Sequence, residues 1–72
     1  MMYLQRLKDL REDADLKQYA VAQYLGIQQN VYSRYERGER TIPLHHLIKL
    51  ADFYNVSLDY LTGRTQKQEV NR

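Results

Sequence analysis

The sequence predicts a compact all-α fold in which five short helices form one bundle. Apolar side chains recur at intervals of three and four residues along the chain, which places them on single helical faces. Glycine, proline and serine stand near the ends of most of these stretches, where such residues start or stop helices. The chain of 72 residues is long enough for one domain with one core, but not for a core and a roomy substrate pocket.

The first two helices are predicted from an apolar stripe and a capping pattern. Tyr3, Leu7 and Leu10 share one face of a helix over residues 3–13, with charged residues elsewhere. The second helix is expected to begin between residues 15 and 17, because Asp15 followed by Gln18 has capping-box spacing. Gly26 is expected to end that helix.

The third helix is predicted from about residue 28 to residue 36 or 37, with Gly38 as its stop. At about 100° per residue, its apolar side chains fall on one arc and its polar side chains on the opposite one. The apolar arc holds Val31, Tyr32 and Tyr35, which are expected in the core. The polar arc holds Gln29, Asn30, Ser33, Arg34 and Arg37.

Two further helices complete the predicted fold. Pro43 marks the first turn of the fourth helix. Its core face is predicted from the helical spacing of Leu44, Leu47, Ile48, Ala51 and Tyr54. Ser57 suits the N-cap of a short fifth helix that Gly63 closes. We therefore expect a domain over residues 1–63 and a polar, flexible tail over residues 64–72.

Residues 18–38 have the pattern of two helices joined by a tight turn. Ala22 is small enough to let the helices approach closely, and Gly26 permits a left-handed backbone in the turn. In a helix-turn-helix of this kind the second helix enters the major groove of DNA. The segment therefore predicts DNA binding.

Residues 7–62 resemble the Cro/repressor-type helix-turn-helix family, the Xre-like regulators of bacteria and their phages. The resemblance rests on Arg11, Gln18, Ala22, Gly26, the string SRYERG at 33–38 and the run PLHHLIKLADFYNVSLDYLTG. It implies the five-helix bundle of the phage-repressor DNA-binding type. It also implies a sequence-specific transcriptional regulator, a repressor, that binds a palindromic double-stranded operator as a homodimer.

By position, the resemblance implies contacts with DNA bases at Gln28, Gln29, Asn30, Ser33 and Arg34. Amides can read adenine and guanidinium groups can read guanine, although a phosphate contact is an open alternative for Asn30 and Arg34. Phosphate contacts are expected from Lys17, Gln18, Arg37, Arg40 and Thr41.

The resemblance also implies a partly buried ion pair between Arg11 and Glu36. A dimer surface is expected at Phe53, Leu58, Tyr60 and Leu61, where apolar residues exceed what one small core needs. Glu36 could instead be read as a catalytic acid, but no nucleophile–base pair accompanies it. We therefore expect no enzymatic activity and no small-molecule substrate.

Metal, cofactor and membrane functions are not expected from this sequence. It has no cysteine, and the adjacent His45 and His46 point in different directions on a helix, where surface positions are expected. No apolar run resembles a signal peptide or a membrane span, which predicts a cytoplasmic protein. The net charge of +2 permits nucleic-acid binding without requiring it.

A protein-interaction module on the same fold, such as an antitoxin that binds a partner protein, is the alternative function. Such a module should carry apolar residues on the exposed arc of the third helix. The sequence has amides and arginine there, which favours DNA binding.

Overall fold

The computed structural model describes residues 4–64 and residue 66 of the chain. Within these residues it contains five helices and no strand, which confirms the all-α prediction. The helices are α1 (Gln5–Asp13), α2 (Gln18–Leu25), α3 (Gln29–Glu36), α4 (Leu44–Tyr54) and α5 (Leu58–Leu61). Tyr3 and most of the predicted tail lie outside the described residues.

The chain divides into two compact units, Met1–Thr41 with α1 to α3 and Ile42–Arg72 with α4 and α5. In the first unit, α3 packs against both α1 and α2. The side chains of Leu7, Val21 and Tyr32 are at most 1% exposed and form the centre of its core. All the predicted DNA-contacting residues belong to this first unit, and the predicted dimer surface belongs to the second.

The turn between α2 and α3 follows the prediction. Gly26 has a left-handed backbone with φ of 75°, and the N–H of Ile27 donates to the carbonyl of Ala22 at 3.0 Å. Ala22 is 2% exposed and belongs to the core. The glycine stops α2 because only a residue without Cβ adopts this backbone at little cost.

The predicted cap of α2 is wrong. Helix α2 begins at Gln18 with Lys17 at its N-cap, and in this described segment the Lys17 side chain makes no capping hydrogen bond. Asp15 has a φ of 56° and donates its backbone N–H to the carbonyl of Glu12 at 3.0 Å. It therefore belongs to the turn that ends α1, where it cannot reach the first turn of α2.

In the second unit, the buried face of α4 is rotated from the predicted one. Leu47, Leu50 and Ala51 are buried, whereas Leu44 is 60% and Ile48 47% exposed. Apolar residues cover too much of the circumference of α4 for their spacing to show which arc faces inward.

His46 is buried in the second unit, which corrects the expectation that both histidines lie on the surface. It lies four residues before Leu50 and therefore shares the inward face of α4. Burial lowers the pKa of His46, and the nearby charges of His45 and Lys49 lower it further. His45 is exposed, as expected.

Helix α5 has the predicted boundaries. The hydroxyl oxygen of Ser57 accepts a hydrogen bond from the N–H of Tyr60 at 3.0 Å, which is the contact expected of an N-cap serine. Gly63 follows the helix with φ of 82°. The two short helices of this unit thus begin and end where the sequence indicates.

Candidate nucleic-acid interface

Helix α3 presents one polar arc to solvent and buries the opposite arc. Tyr32 and Tyr35 are 0% and 4% exposed, which confirms that both belong to the core. Gln29, Asn30 and Arg34 are exposed, and Ser33 is half-buried. Gln28 is also exposed and occupies the N-cap of the helix. The five residues expected to read bases therefore lie close together on the solvent side of α3, and we call them the outer strip of this helix.

The buried carboxylate of Glu36 connects the end of α3 to α1 and to the start of α2. Glu36, the last residue of α3, is 4% exposed. Arg11 of α1 donates from Nε to its Oε2 at 2.6 Å and from Nη2 to its Oε1 at 3.2 Å. The side chain of Gln18, the first residue of α2, donates to Oε1 at 3.1 Å. One side chain thus joins all three helices of the first unit.

The electrostatics of Glu36 follow from these contacts. Burial alone would raise the pKa of this carboxyl, but the hydrogen bonds from Arg11 and Gln18 help to lower the pKa below its ordinary value. The same hydrogen bond raises the pKa of the Arg11 guanidinium. Arg11 also donates from Nη1 to the carbonyl of Leu16 at 2.8 Å, so it holds the loop before α2 as well.

The start of α2 offers backbone groups rather than the side chain of Gln18. That side chain is already bound to Glu36, which leaves the N–H groups of the first helical turn to meet an anion. Lys17 is exposed next to them and adds a positive charge. Sequence reasoning placed Gln18 at this position, but the role of its side chain in the Glu36 network was missed.

The segment after α3 carries Arg37, Arg40 and Thr41, all exposed. Arg37 forms a two-point contact with Glu39, from Nε to Oε2 at 2.7 Å and from Nη2 to Oε1 at 3.3 Å. Both side chains are about half exposed, at 55% and 53%. An ion pair this exposed contributes only about 0–1 kcal/mol, so a phosphate can compete for Arg37.

Asn30 makes a contact that the sequence did not predict. Its Oδ1 accepts a hydrogen bond from the backbone N–H of the next residue, Val31, at 3.0 Å. The sequence signal for such a contact is weak, namely an asparagine in the first turn of a helix. The bond orients the Asn30 amide on the exposed face of α3.

The predicted dimer surface needs one correction. Leu61 is fully buried, so it belongs to the core of the second unit and cannot lie on a surface. Phe53 is 40% exposed, and Leu58 and Tyr60 are half-buried. Ile48, expected in the core, is exposed and lines a groove with Leu58. Leu44 lies four residues before Ile48 on α4 and is also exposed, so the two side chains form an apolar strip along this helix.

The described residues contain neither a metal-ligand cluster nor a membrane-spanning helix. No group of three or more histidine, cysteine, aspartate or glutamate side chains there could hold a metal ion. None of the helices in that part of the chain has the length and apolar character needed to cross a bilayer.

The glycine turn, the buried tyrosines of α3 and its polar outer arc together define a helix-turn-helix domain. Residues 7–61 match the family described as helix-turn-helix. The chain belongs to this family, in its Xre-like group, as the resemblance of the sequence indicated.

Similar proteins are named as regulators. The chain is 41% identical over 66 residues to the HTH-type transcriptional regulator ImmR of Bacillus subtilis, covering 92% of this chain and 52% of ImmR. It is 35% identical over 65 residues to the cryptic phage CTXphi transcriptional repressor RstR of Vibrio cholerae, covering 90% of this chain and 59% of RstR. The chain thus spans little more than half the length of these relatives.

A solved structure is similar over nearly the whole chain. It is described as a transcriptional regulator from Listeria innocua, and it superposes with a TM-score of 0.82 at 28% sequence identity. The similarity covers 93% of this chain and 64% of the Listeria protein. Like the relatives found by sequence, the Listeria regulator is longer than this chain.

Replacement of Arg11 by alanine should lower the free energy of unfolding substantially. It would leave the Glu36 carboxylate buried without its cation, a loss of about 3–5 kcal/mol in fully buried pairs. Because the Arg11 side chain is 12% exposed, we expect a loss near the lower end of that range. Thermal unfolding compares this variant with Arg40→Ala, in which an exposed arginine is lost. Equal melting temperatures for the two variants would contradict a structural role for the pair.

Proposed function

We propose that the chain is the DNA-binding domain of a transcriptional regulator, a repressor, that reads the major groove of double-stranded DNA with α3. The observation that carries this proposal is the exposed strip of amides and arginine on a helix whose opposite face is anchored by Tyr32 and Tyr35. The helix lies in the position of a recognition helix, after a tight glycine turn. The names of ImmR and RstR support the same function.

Within this proposal, Gln29 and Arg34 are the main base-reading residues. A glutamine amide can donate to and accept from adenine, and a guanidinium can donate twice to guanine. Both side chains are exposed near the start and the middle of α3. Gln28 and Ser33 flank them and contribute further contacts. Ser33 is half-buried, which restricts it to a base or phosphate that approaches α3 closely.

Phosphate contacts are proposed on both sides of this strip. The backbone N–H groups at the start of α2, with Lys17 beside them, are suited to one phosphate. Arg37, Arg40 and the segment at Thr41 are suited to the phosphates beyond the end of α3. Contacts of this kind fix the orientation of a protein on DNA but carry no sequence information.

A homodimer completes the proposed function. Two copies would place their α3 helices about 34 Å apart, in successive major grooves of a palindromic operator. Phe53, Leu58 and Tyr60, with the exposed Ile48, supply apolar area for the dimer contact. The alternative function as a protein-interaction module calls for apolar side chains on the outer arc of α3, and that arc is polar.

The test of this function is selection of binding sites from a pool of random duplex DNA at near-physiological salt. We expect enrichment of a palindrome whose half-sites are about one helical turn apart. The double variant Gln29→Ala, Arg34→Ala serves as the control, because it should fold normally and enrich no site. Uniform, salt-sensitive binding of the unaltered chain to all sequences would overturn the proposal.

Replacement of Gln29 by alanine should relax the preference at one base pair of the selected site. A bidentate amide–adenine contact supplies about 1–3 kcal/mol of discrimination, and alanine supplies none. The measurement is the affinity for the site and for its single-base variants. Gln23→Ala, which removes an exposed amide from α2, should leave the preference unchanged. An equal loss of affinity for every sequence would show that Gln29 does not read a base.

Replacement of Glu39 by glutamine should strengthen binding to any duplex by up to about fivefold, because it removes the competitor for the Arg37 guanidinium. The slope of log affinity against log salt should steepen by up to about 0.9, the value for one phosphate contact, as Arg37 engages its phosphate more fully. Glu12→Gln, which changes the net charge equally at an exposed site on α1, is the matched control. If both variants gain the same affinity for DNA, the change in net charge explains the gain, and the release of Arg37 from Glu39 does not.

A further inference from the structure

The orientation of the Asn30 side chain limits what it can recognise. Its Oδ1 accepts the N–H of Val31 at 3.0 Å, and only the oxygen of the amide can do so. The amide is planar, so turning Oδ1 toward the helix backbone leaves Nδ2 as the group presented outward. Asn30 is exposed, and it follows Gln29 on the outer strip of α3.

Two acceptors share the N–H that Asn30 binds. The N–H of Val31, the third residue of α3, donates both to Asn30 Oδ1 at 3.0 Å and to the carbonyl of Gln28 at 3.1 Å. The residue at the N-cap, Gln28, makes no side-chain capping hydrogen bond in this described helix. Asn30 therefore provides the only side-chain acceptor that the described structure gives to the first turn of α3.

We propose that Asn30 acts toward DNA only as a hydrogen-bond donor, and therefore contacts a purine N7, a guanine O6 or a phosphate oxygen instead of reading adenine with both ends of its amide. The proposal rests on the proposed DNA-binding function. Bidentate recognition of adenine needs the amide oxygen to accept from the N6 amino group while the nitrogen donates to N7. With its oxygen turned to Val31, Asn30 presents its nitrogen, and not both groups, along a base edge.

Asn30 and Gln29 thus have different tasks, although their side chains carry the same functional group. No described hydrogen bond engages the amide of Gln29, so both of its ends remain available for a base. Asn30 offers only its NH₂ group, which binds a hydrogen-bond acceptor and does not require adenine. A sequence pattern that treats the two residues as equivalent readers would assign one adenine too many to the operator.

Two substitutions of Asn30 separate its contact with the helix from its contact with DNA. Asn30→Asp keeps an acceptor for Val31 and loses the donor, whereas Asn30→Ala loses both. We expect Asn30→Asp to melt at or above the temperature of the unaltered chain, because a carboxylate is favourable in the first turn of a helix. Asn30→Ala should melt at a lower temperature.

Both variants should bind the selected operator about tenfold more weakly or worse, since each lacks the donor. The neutral Asn30→Ala variant shows that the loss is not caused by the added charge of aspartate. Unchanged affinity in both variants would overturn the proposal. Failure of the unaltered chain to select any site would instead count against the proposed function, which keeps the two tests distinct.

Operators that each lack one acceptor then identify the atom that Asn30 contacts. The measurement is the loss of affinity caused by Asn30→Ala on the unmodified operator and on each modified one. If the loss caused by Asn30→Ala disappears on 7-deazaguanine or 7-deazaadenine, the acceptor is a purine N7. If it disappears on 2-aminopurine in place of guanine, which lacks O6 and keeps N7, the acceptor is O6. If the loss caused by Asn30→Ala disappears when one phosphate is replaced by a neutral methylphosphonate, the acceptor is an oxygen of that phosphate. Each of these results supports a donor contact. Coupling to the N6 amino group, measured by replacing adenine with unsubstituted purine, would show bidentate adenine reading and overturn the proposal.

Discussion

The carboxylate of Glu36 is the point on which the geometry of the first unit depends. It lies at the end of α3, and it accepts hydrogen bonds from Arg11 of α1 and from Gln18 at the start of α2. A carboxylate that is 4% exposed is stable as an anion only when such donors replace water. The donors come from α1 and α2 and the carboxylate from α3, so all three helices must be in place for this arrangement to form.

This dependence connects folding to the proposed function. The two surfaces that would face DNA, the first turn of α2 and the outer arc of α3, are both attached to the same buried charge. Replacing the ion pair with apolar side chains could preserve stability, since buried pairs often contribute little net free energy. It would remove the directional bonds that set α2 and α3 relative to each other. The polar network thus contributes more to position than to stability.

Much of this fold could be predicted because its local signals agree with one another. The glycines after α2 and α3, Pro43 before α4 and Ser57 before α5 each act within their own helix end, where short-range chemistry decides the structure. The assignment of Asp15 failed because two helix ends lie close together there, and the residue serves the end of α1. His46 and Leu61 were placed on the surface because their burial depends on packing that no local pattern reports.

The candidate site could likewise be predicted only in part. Helical periodicity predicts which side chains of α3 point outward, since the buried tyrosines fix the opposite arc. It cannot predict the contact of Arg37 with Glu39 or that of Asn30 with Val31, because each depends on side-chain torsions and on a backbone turn. These two contacts change what the exposed residues offer to DNA without changing which residues are exposed.

The buried His46 and Glu36 have a consequence for proton linkage. The pKa of His46 is lowered from 6.5, so below about that pH the unfolded second unit binds a proton more readily than the folded one, and the folded unit loses stability. The pKa of Glu36 is lowered from 4.5, so its contribution is fully present above that pH and is lost only as the pH falls further. The destabilisation linked to His46 therefore begins at a higher pH than the destabilisation linked to Glu36.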